Sequence, residues 1–187
     1  RDLKLKKKNS LLELGVIRIC IIGGSQGSKS LSEIVPKAVV HLQSKINKKI
    51  IVSHQGRKED IKKIKNFYNS NYLSSDVSSY FNDIQSRINE SDLIISRSGS
   101  STTNEIIYSK KPSIFVPFPY AVDDHQFFNA KILSDIKCSK IIRNNNLNFI
   151  NLSLEALRLI NFESATGYIS SKLSRIRISN STENILL

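Results

Sequence analysis

Two short segments hold most of the polar chemistry that this 187-residue sequence concentrates in one place. They are Gly23-Gly24-Ser25-Gln26-Gly27-Ser28 and Arg97-Ser98-Gly99-Ser100-Ser101-Thr102-Thr103-Asn104-Glu105. Glycines let a backbone approach a ligand closely. A turn that opens a helix also points unpaired amides, and the positive end of the helix dipole, at an anion. Ser25 and Ser28 add hydroxyl donors to the first turn. Taken alone, that turn is equally a tight strand-to-helix connection with no ligand. Its spacing is not G-x-G-x-x-G, and the next strand ends in Ser53-His54-Gln55 where a dinucleotide fold places an acid for the ribose, so a nicotinamide cofactor is disfavoured. With Ser28 between Gly27 and Lys29, it is not a phosphate-binding P-loop either.

The second segment packs five hydroxyl side chains between Ser98 and Thr103. A capping box of Thr102 with Glu105 accounts for one hydroxyl and the carboxylate, but not for Arg97 or the remaining hydroxyls. A nucleoside diphosphate accounts for more. Amides and the hydroxyls of Ser100, Ser101, Thr102 and Thr103, with Asn104 beside them, take the phosphates. Glu105, on the first helical turn, accepts both ribose hydroxyls as a bidentate carboxylate. Arg97 then either offsets phosphate charge or braces the loop. A third segment runs from Pro117 to Ala130, and in it His125, Gln126 and Asn129 fall within one helical turn, placed to converge on sugar hydroxyls. Asp123 and Asp124 raise the question of a metal. With a single histidine beside them and no second acidic cluster, a cap or an exposed turn is the better reading, so neither a metal nor a cofactor is expected.

The elements that must position these segments are legible as apolar runs. Residues 16–22 form a β-branched run ending at the glycines, and Leu31, Ile34, Val35, Ala38, Val39 and Leu42 then repeat at helical spacing. The unit recurs, with strands at 50–53 and 92–96, further strands at 113–117 and 140–142, and a weaker candidate at 77–81. Helices carry Ile61, Ile64 and Phe67, then Ile106 and Ile107. Another spans about 125–135 with Phe128, Ile132 and Leu133 inward, and a last one contains Leu152, Leu154, Ala156, Leu157 and Ile160. Strands alternating with helices predict a Rossmann-like α/β fold, a parallel sheet with helices on both faces. Ligands of such sheets bind beyond the carboxyl ends of the strands, where all three segments fall.

The formal charge of +12 predicts a surface that attracts polyanions: phosphorylated ligands, anionic lipid head groups or nucleic acid. The Lys, Asn and Ile excess is also what a genome-wide compositional bias produces. The lysines are spread over helix faces with no aromatic-interleaved basic strand or zinc-finger pattern, which argues against nucleic acid. Cys20 and Cys138 lack metal-ligand spacing and read as free structural thiols of a reducing cytoplasm. The longest apolar stretches, 19–22 and 114–119, are far shorter than a membrane span. The basic start from Arg1 to Lys8 has no apolar core behind it, as a signal peptide would, and the absence of an initial Met reads as a fragment or processed piece.

Together the blocks Ile22-Gly23-Gly24-Ser25-Gln26-Gly27, Ser53-His54-Gln55-Gly56, Arg97-Ser98-Gly99 with Thr102 and Glu105, and Phe115-Val116-Pro117-Phe118 with His125-Gln126 and Asn129-Ala130 resemble the C-terminal domain of the MurG family of glycosyltransferases. They occur in family order over roughly residues 16 to 143. The resemblance implies the C-terminal half of a GT-B glycosyltransferase, with residues 1–15 a basic linker, 16–163 the donor-binding domain, and 164–187 a closing helix and tail. It implies UDP-N-acetylglucosamine as donor and a lipid-linked muramyl-pentapeptide as acceptor, with inversion at the anomeric carbon. The place of work would be the cytoplasmic face of a bacterial inner membrane, against its anionic surface. Carried over by position, Gly24, Ser25 and Gln26 meet the diphosphate, the backbone near Phe81 meets the uracil, and Ser100 to Glu105 meet phosphate and ribose. Gln126, with His125 and Asn129, reads the sugar. Ser100 and Ser101 depart from the small apolar pair common in the family. The catalytic base belongs to a family domain that this sequence lacks, so no catalytic residue is expected here. The alternative is a non-catalytic donor-binding subunit of a split, two-chain N-acetylglucosaminyltransferase.

Overall fold

The computed structural model describes residues 15–24, 27–135, 137 and 139–166, the last five as backbone only. Their order is β1 (Val16–Ile22), α1 (Lys29–Gln43), β2 (Lys49–Gln55), α2 (Ile61–Ser70), β3 (Ser74–Ser78), α3 (Ile84–Glu90), β4 (Leu93–Ser96), α4 (Ser100–Ser109), β5 (Ser113–Phe115), α5 (His125–Asp135), β6 (Ser139–Ile141) and α6 (Phe149–Thr166). All six strands pair in parallel, in the order β3-β2-β1-β4-β5-β6. The order reverses between β1 and β4, and a crevice opens where the chain leaves these two strands for opposite faces. The glycine turn follows β1 and the Arg97 segment follows β4, so the two flank this crevice. Arg97 N–H donates to Ile22 O at 3.2 Å and joins the two strand ends directly.

Strands covered on both faces need apolar residues at nearly every position. Ile17, Ile19, Cys20, Ile21 and Ile22 of β1 and all four residues of β4 are buried accordingly. Burial pushes the Cys20 thiol up to about 12, which makes it an inert core residue. Cys138 lies outside the described residues. The helices form two layers, α1 with α2 and α6, and α4 with α3 and α5. His41 of α1 bonds Ser153 of α6 at 2.6 Å and meets the Phe149 ring edge-on, fastening the last helix to the first.

The structure departs from the sequence-based expectations in three places. The weak strand lies at Ser74–Ser78, leaving Phe81 beyond its end. The seven-residue α3 was not anticipated, because Ile84 and Ile88 alone are too few to announce a period. Phe128 and Ile132 of α5 are each 58 % exposed, and Ala130 and Leu133 face the core instead. Positions 128 and 132 each lie about 200° around a helix from position 130, so burying Ala130 turns both outward. Residues 1–14 and 167–187, most of the expected linker and tail, lie outside the described residues.

Candidate functional site

The glycine turn is shaped by what surrounds it. A Cβ on Gly23 would stand 2.9 Å from Gln55 O, so no side chain fits between the ends of β1 and β2. Gly24 and Gly27 hold φ of +84° and +69°, and Gly27 N–H donates to Gly24 O at 3.0 Å to close the turn. A Cβ on Gly27 would meet Arg57 Cγ at 2.6 Å and Arg57 N at 2.9 Å. Ser28, expected as a ligand donor, is instead the buried N-cap of α1, its Oγ accepting from Leu31 N–H at 3.3 Å. The amides of Lys29 and Ser30 have no partner among the described residues and sit at the positive end of α1. Ser25 and Gln26 lie outside the described residues.

The second segment forms the matching corner on β4. The alternative reading of Thr102 and Glu105 as a capping box does not hold. Gly99 is the N-cap of α4, extended at φ −62° and ψ 150° and without a side chain to cap the helix. Thr102 is therefore already inside the first turn, and Glu105 sits in the second turn rather than the first. Thr103 N–H and Oγ1–H both donate to Gly99 O at 2.9 Å. The amides of Ser100, Ser101 and Thr102 are left without a partner among the described residues. Ser98 and Thr103 are buried, so of the five hydroxyls only Ser100, Ser101 and Thr102 remain for a ligand, beside an exposed Asn104. Ser101 Oγ–H donates to Glu105 Oε1 at 3.3 Å, linking the two turns along one stripe of the helix.

Arg97 is engaged inside the protein. Its Nη1 donates to Val116 O at 2.9 Å and Pro117 O at 2.8 Å, and its Nη2 donates to Ser30 Oγ at 2.9 Å. One guanidinium thus ties three loops together: the first turn of α1, the end of β4 and the segment after β5. Burial lowers its pKa from the usual arginine range. Of the two roles left open by the sequence, the geometry is that of a brace.

The third segment is held in the same manner. Gln126 Oε1 accepts from Phe118 N–H at 3.0 Å, and Asn129 Nδ2 donates to Ser98 O at 3.1 Å. His125 Nδ1–H donates to Val122 O at 2.8 Å. The three polar ends do not bond one another; each reaches a different stretch of backbone. Asp123 and Asp124 occupy an exposed left-handed turn at φ 50° and 52°, and Asp124 pairs with Arg143 at 2.8 Å.

Phe81 follows β3, on the far side of β2. Its ring is buried, and its backbone N–H has no partner among the described residues, while its C=O opens the turn over Asn82 and Asp83 and keeps a second lone pair. The segment leads into α3, which packs on α4 through Gln85 Nε2 donating to Ser109 Oγ at 3.1 Å. That contact brings the Phe81 loop toward the helix carrying Glu105. Ser30 and Arg87 also hold these loops and were missed, since nothing local in the sequence distinguishes them from solvated polar residues, and Gln55, within the Ser53–Gly56 block, was given no role of its own. His54 is structural: fully buried, bonded to Tyr68 OH at 3.0 Å, and held at about 3 by burial, hence neutral.

Six parallel strands in this order, with two helix N-termini that keep unpaired amides at the reversal, define the Rossmann-like half of a GT-B glycosyltransferase. The chain belongs to glycosyltransferase family 28, matching the family's C-terminal domain over residues 18–177. Among relatives, it is 30 % identical over 97 % of its length to the UDP-N-acetylglucosamine--N-acetylmuramyl-(pentapeptide) pyrophosphoryl-undecaprenol N-acetylglucosamine transferase of Wolbachia pipientis wMel, covering 52 % of that protein. To the transferase of the same name from Rickettsia felis it is 35 % identical, over 86 % of this chain and 43 % of that one. The crystal structure of Acinetobacter baumannii MurG superposes with a TM-score of 0.77 at 30 % identity, over 90 % of this chain and 48 % of that one. The chain therefore spans about half the length of the relatives it matches. More distant structures, such as the glycosyltransferase of kitacinnamycin at 14 % identity and a TM-score of 0.62, share the fold.

Proposed function

We propose that this chain is the donor-binding half of an inverting transferase that moves N-acetylglucosamine from UDP-N-acetylglucosamine to a lipid-linked muramyl-pentapeptide, the step that completes the lipid-linked disaccharide for peptidoglycan. The observation that carries the reading is the pair of helix N-termini, α1 and α4, at the ends of adjacent strands β1 and β4. Their unpaired amides suit a diphosphate, and Glu105, one turn further along α4, suits the ribose. The Phe81 backbone, with a free N–H and a C=O that keeps a second lone pair, suits the edge of uracil. Gln126, His125 and Asn129, at the start of α5, are the candidates for reading the sugar. The chemical contribution of this half is to orient the donor and stabilise the departing UDP through preorganised amides. The base that activates the acceptor hydroxyl belongs to the other half of the longer relatives.

Six lysines among the described residues share one edge of the sheet. Lys45, Lys48, Lys49, Lys110, Lys111 and Lys137 all lie where helices lead back into the amino ends of strands, opposite the donor crevice. That rim fits an anionic lipid surface better than it fits the donor, and supports peripheral attachment to the cytoplasmic face of the membrane. No helix of the described residues is long and apolar enough to cross a membrane.

Calorimetric titration with UDP-N-acetylglucosamine, UDP-glucose and ADP tests the donor reading. UDP-N-acetylglucosamine is expected to bind best and ADP not to bind, and Glu105→Ala is expected to weaken the donor by about tenfold or more through lost charge-assisted hydrogen bonds. Absence of uridine-dependent binding, or an unchanged affinity in Glu105→Ala, overturns the assignment.

A further inference from the structure

We infer that Arg87 is the positioning residue for base recognition, holding the Phe81 loop so that its free backbone meets a uracil edge in register. The inference rests on the proposed uridine site and concerns the residues beneath it. Arg87 projects from α3 and makes four contacts with three other parts of the fold. Its Nε donates to Asp83 Oδ1 at 2.9 Å, at the start of its own helix. Nη1 donates to Ser53 Oγ of β2 at 3.1 Å, and Nη2 pairs with Asp76 Oδ2 of β3 at 2.8 Å. The guanidinium carbon stands 3.9 Å from the centroid of the Phe81 ring, within cation–π distance. From the opposite side Gln55 Nε2 donates to Ser79 O at 3.3 Å, and Ser78 Oγ–H donates to Tyr80 O at 2.8 Å.

The loop is thus clamped at both ends and under its ring, while the Phe81 N–H has no partner among the described residues and its C=O, which opens the turn over Asn82 and Asp83, keeps a second lone pair. A free donor and an acceptor with a spare lone pair on a restrained residue are the arrangement a base edge requires. Uracil offers an N3–H donor beside the O4 acceptor. Cytosine, of the same size, offers an N3 acceptor beside an N4 donor, so a peptide held in one register accepts the first and refuses the second. If the register is set by Arg87, loss of the clamp lowers discrimination between the two bases more than it lowers affinity for phosphate. Arginine is specific to this task, since a planar fork reaches Asp83, Ser53 and Asp76 at once and stacks on the ring, whereas an ammonium does not.

The test compares UDP, CDP and inorganic pyrophosphate binding to the full chain and to Arg87→Met and Arg87→Lys, by calorimetry well below the melting temperature of each. The wild type is expected to prefer UDP over CDP. Arg87→Met is expected to lose about tenfold in UDP affinity, with most of the preference, and to bind pyrophosphate as before. Arg87→Lys is expected to restore less than half of that loss. Asp76→Asn, which removes one strut at an exposed carboxylate, provides a folded comparison if Arg87→Met does not fold, and should move the UDP-to-CDP ratio in the same direction by a smaller factor. A wild type with no UDP preference overturns the uridine site itself. A wild type with that preference, retained in folded Arg87→Met or untouched by Asp76→Asn where Arg87→Met does not fold, overturns the role given to Arg87.

Discussion

Replacing Arg97 separates its two possible roles, because a brace and a phosphate ligand fail differently. Arg97→Met keeps the aliphatic stem and removes the donors that reach Val116 O, Pro117 O and Ser30 Oγ. A net hydrogen bond to a charged donor is worth about 1.5–3 kcal/mol when well buried. Arg97 is half-buried and its released acceptors at the crevice rim recover some water, so the three bonds together come to about 3 kcal/mol. For a chain of this size that corresponds to a fall in melting temperature of about 6–12 °C. Thermal denaturation followed by circular dichroism, with and without UDP-N-acetylglucosamine, measures the loss and the residual stabilisation by donor. Donor affinity should fall by about tenfold, through loosening of the α1 and β5 loops rather than loss of a contact. Arg97→Lys should recover a minor part of the stability, because one ammonium cannot span acceptors on three loops. A melting temperature within a degree or so of wild type, coupled to a loss of donor affinity beyond about a hundredfold, would refute the brace and make Arg97 a direct diphosphate ligand.

Gly27→Ala should destabilise more than Gly24→Ala in the same melting assay. Both positions have positive φ, but a Cβ on Gly27 runs into Arg57 at 2.6 Å, whereas one on Gly24 meets nothing within 4 Å and costs only about 1–2 kcal/mol of backbone strain; equal losses would mean that the turn relaxes. His54 predicts a pH dependence. Its pKa is lowered from 6.5 to about 3 on folding, so the unfolded chain takes up a proton between those values and the folded one does not. Stability from this group is complete above pH 6.5 and falls toward pH 3 at up to about 1.4 kcal/mol per pH unit. Urea denaturation at pH 7, 5.5 and 4.5 should show that slope shrinking in His54→Gln relative to wild type, and parallel slopes would show that some other group carries it.

How much was legible in the sequence depends on the range of the cause. β1 and its glycine turn were legible because a β-branched run and left-handed glycines are local requirements. α5 was legible to the residue for the same reason, since the turn before it ends abruptly at His125. Its orientation was not. Phe128 and Ile132 are the larger apolar residues, yet the sheet is met through Ala130 and Leu133, and only the neighbouring layer decides that. The Thr102–Glu105 pattern was a local signal that lost to another: Gly99 in extended backbone starts the helix one turn sooner than the cap would. Arg97 was singled out as a site residue, but its partners lie 19, 20 and 67 positions away in the chain, beyond the reach of any spacing argument. Arg87 is the extreme case, an arginine in an unannounced helix whose four contacts exist only once β2, β3 and α3 are assembled.

The formal charge of +12 suggested a protein that attracts phosphate by its lysines, and the folded arrangement assigns that task elsewhere. Around the donor crevice the charges are mixed and mutually engaged: Arg57 pairs with Glu59 and Asp60, Arg143 with Asp124, and Arg97 binds backbone carbonyls. Beside an exposed Lys29 at the first position of α1, the unpaired amides at the starts of α1 and α4 are the groups placed to face a diphosphate, fixed by a glycine turn that tolerates no side chain at Gly23. The distinction matters for transfer chemistry. A lysine on a flexible stem must reorganise as charge builds on a departing diphosphate, whereas amides already aimed at that position need not. On the proposed reading, the groups that meet base, ribose and phosphate are all anchored to β1, β2, β3, β4 and their helices, so donor binding is expected from this chain by itself.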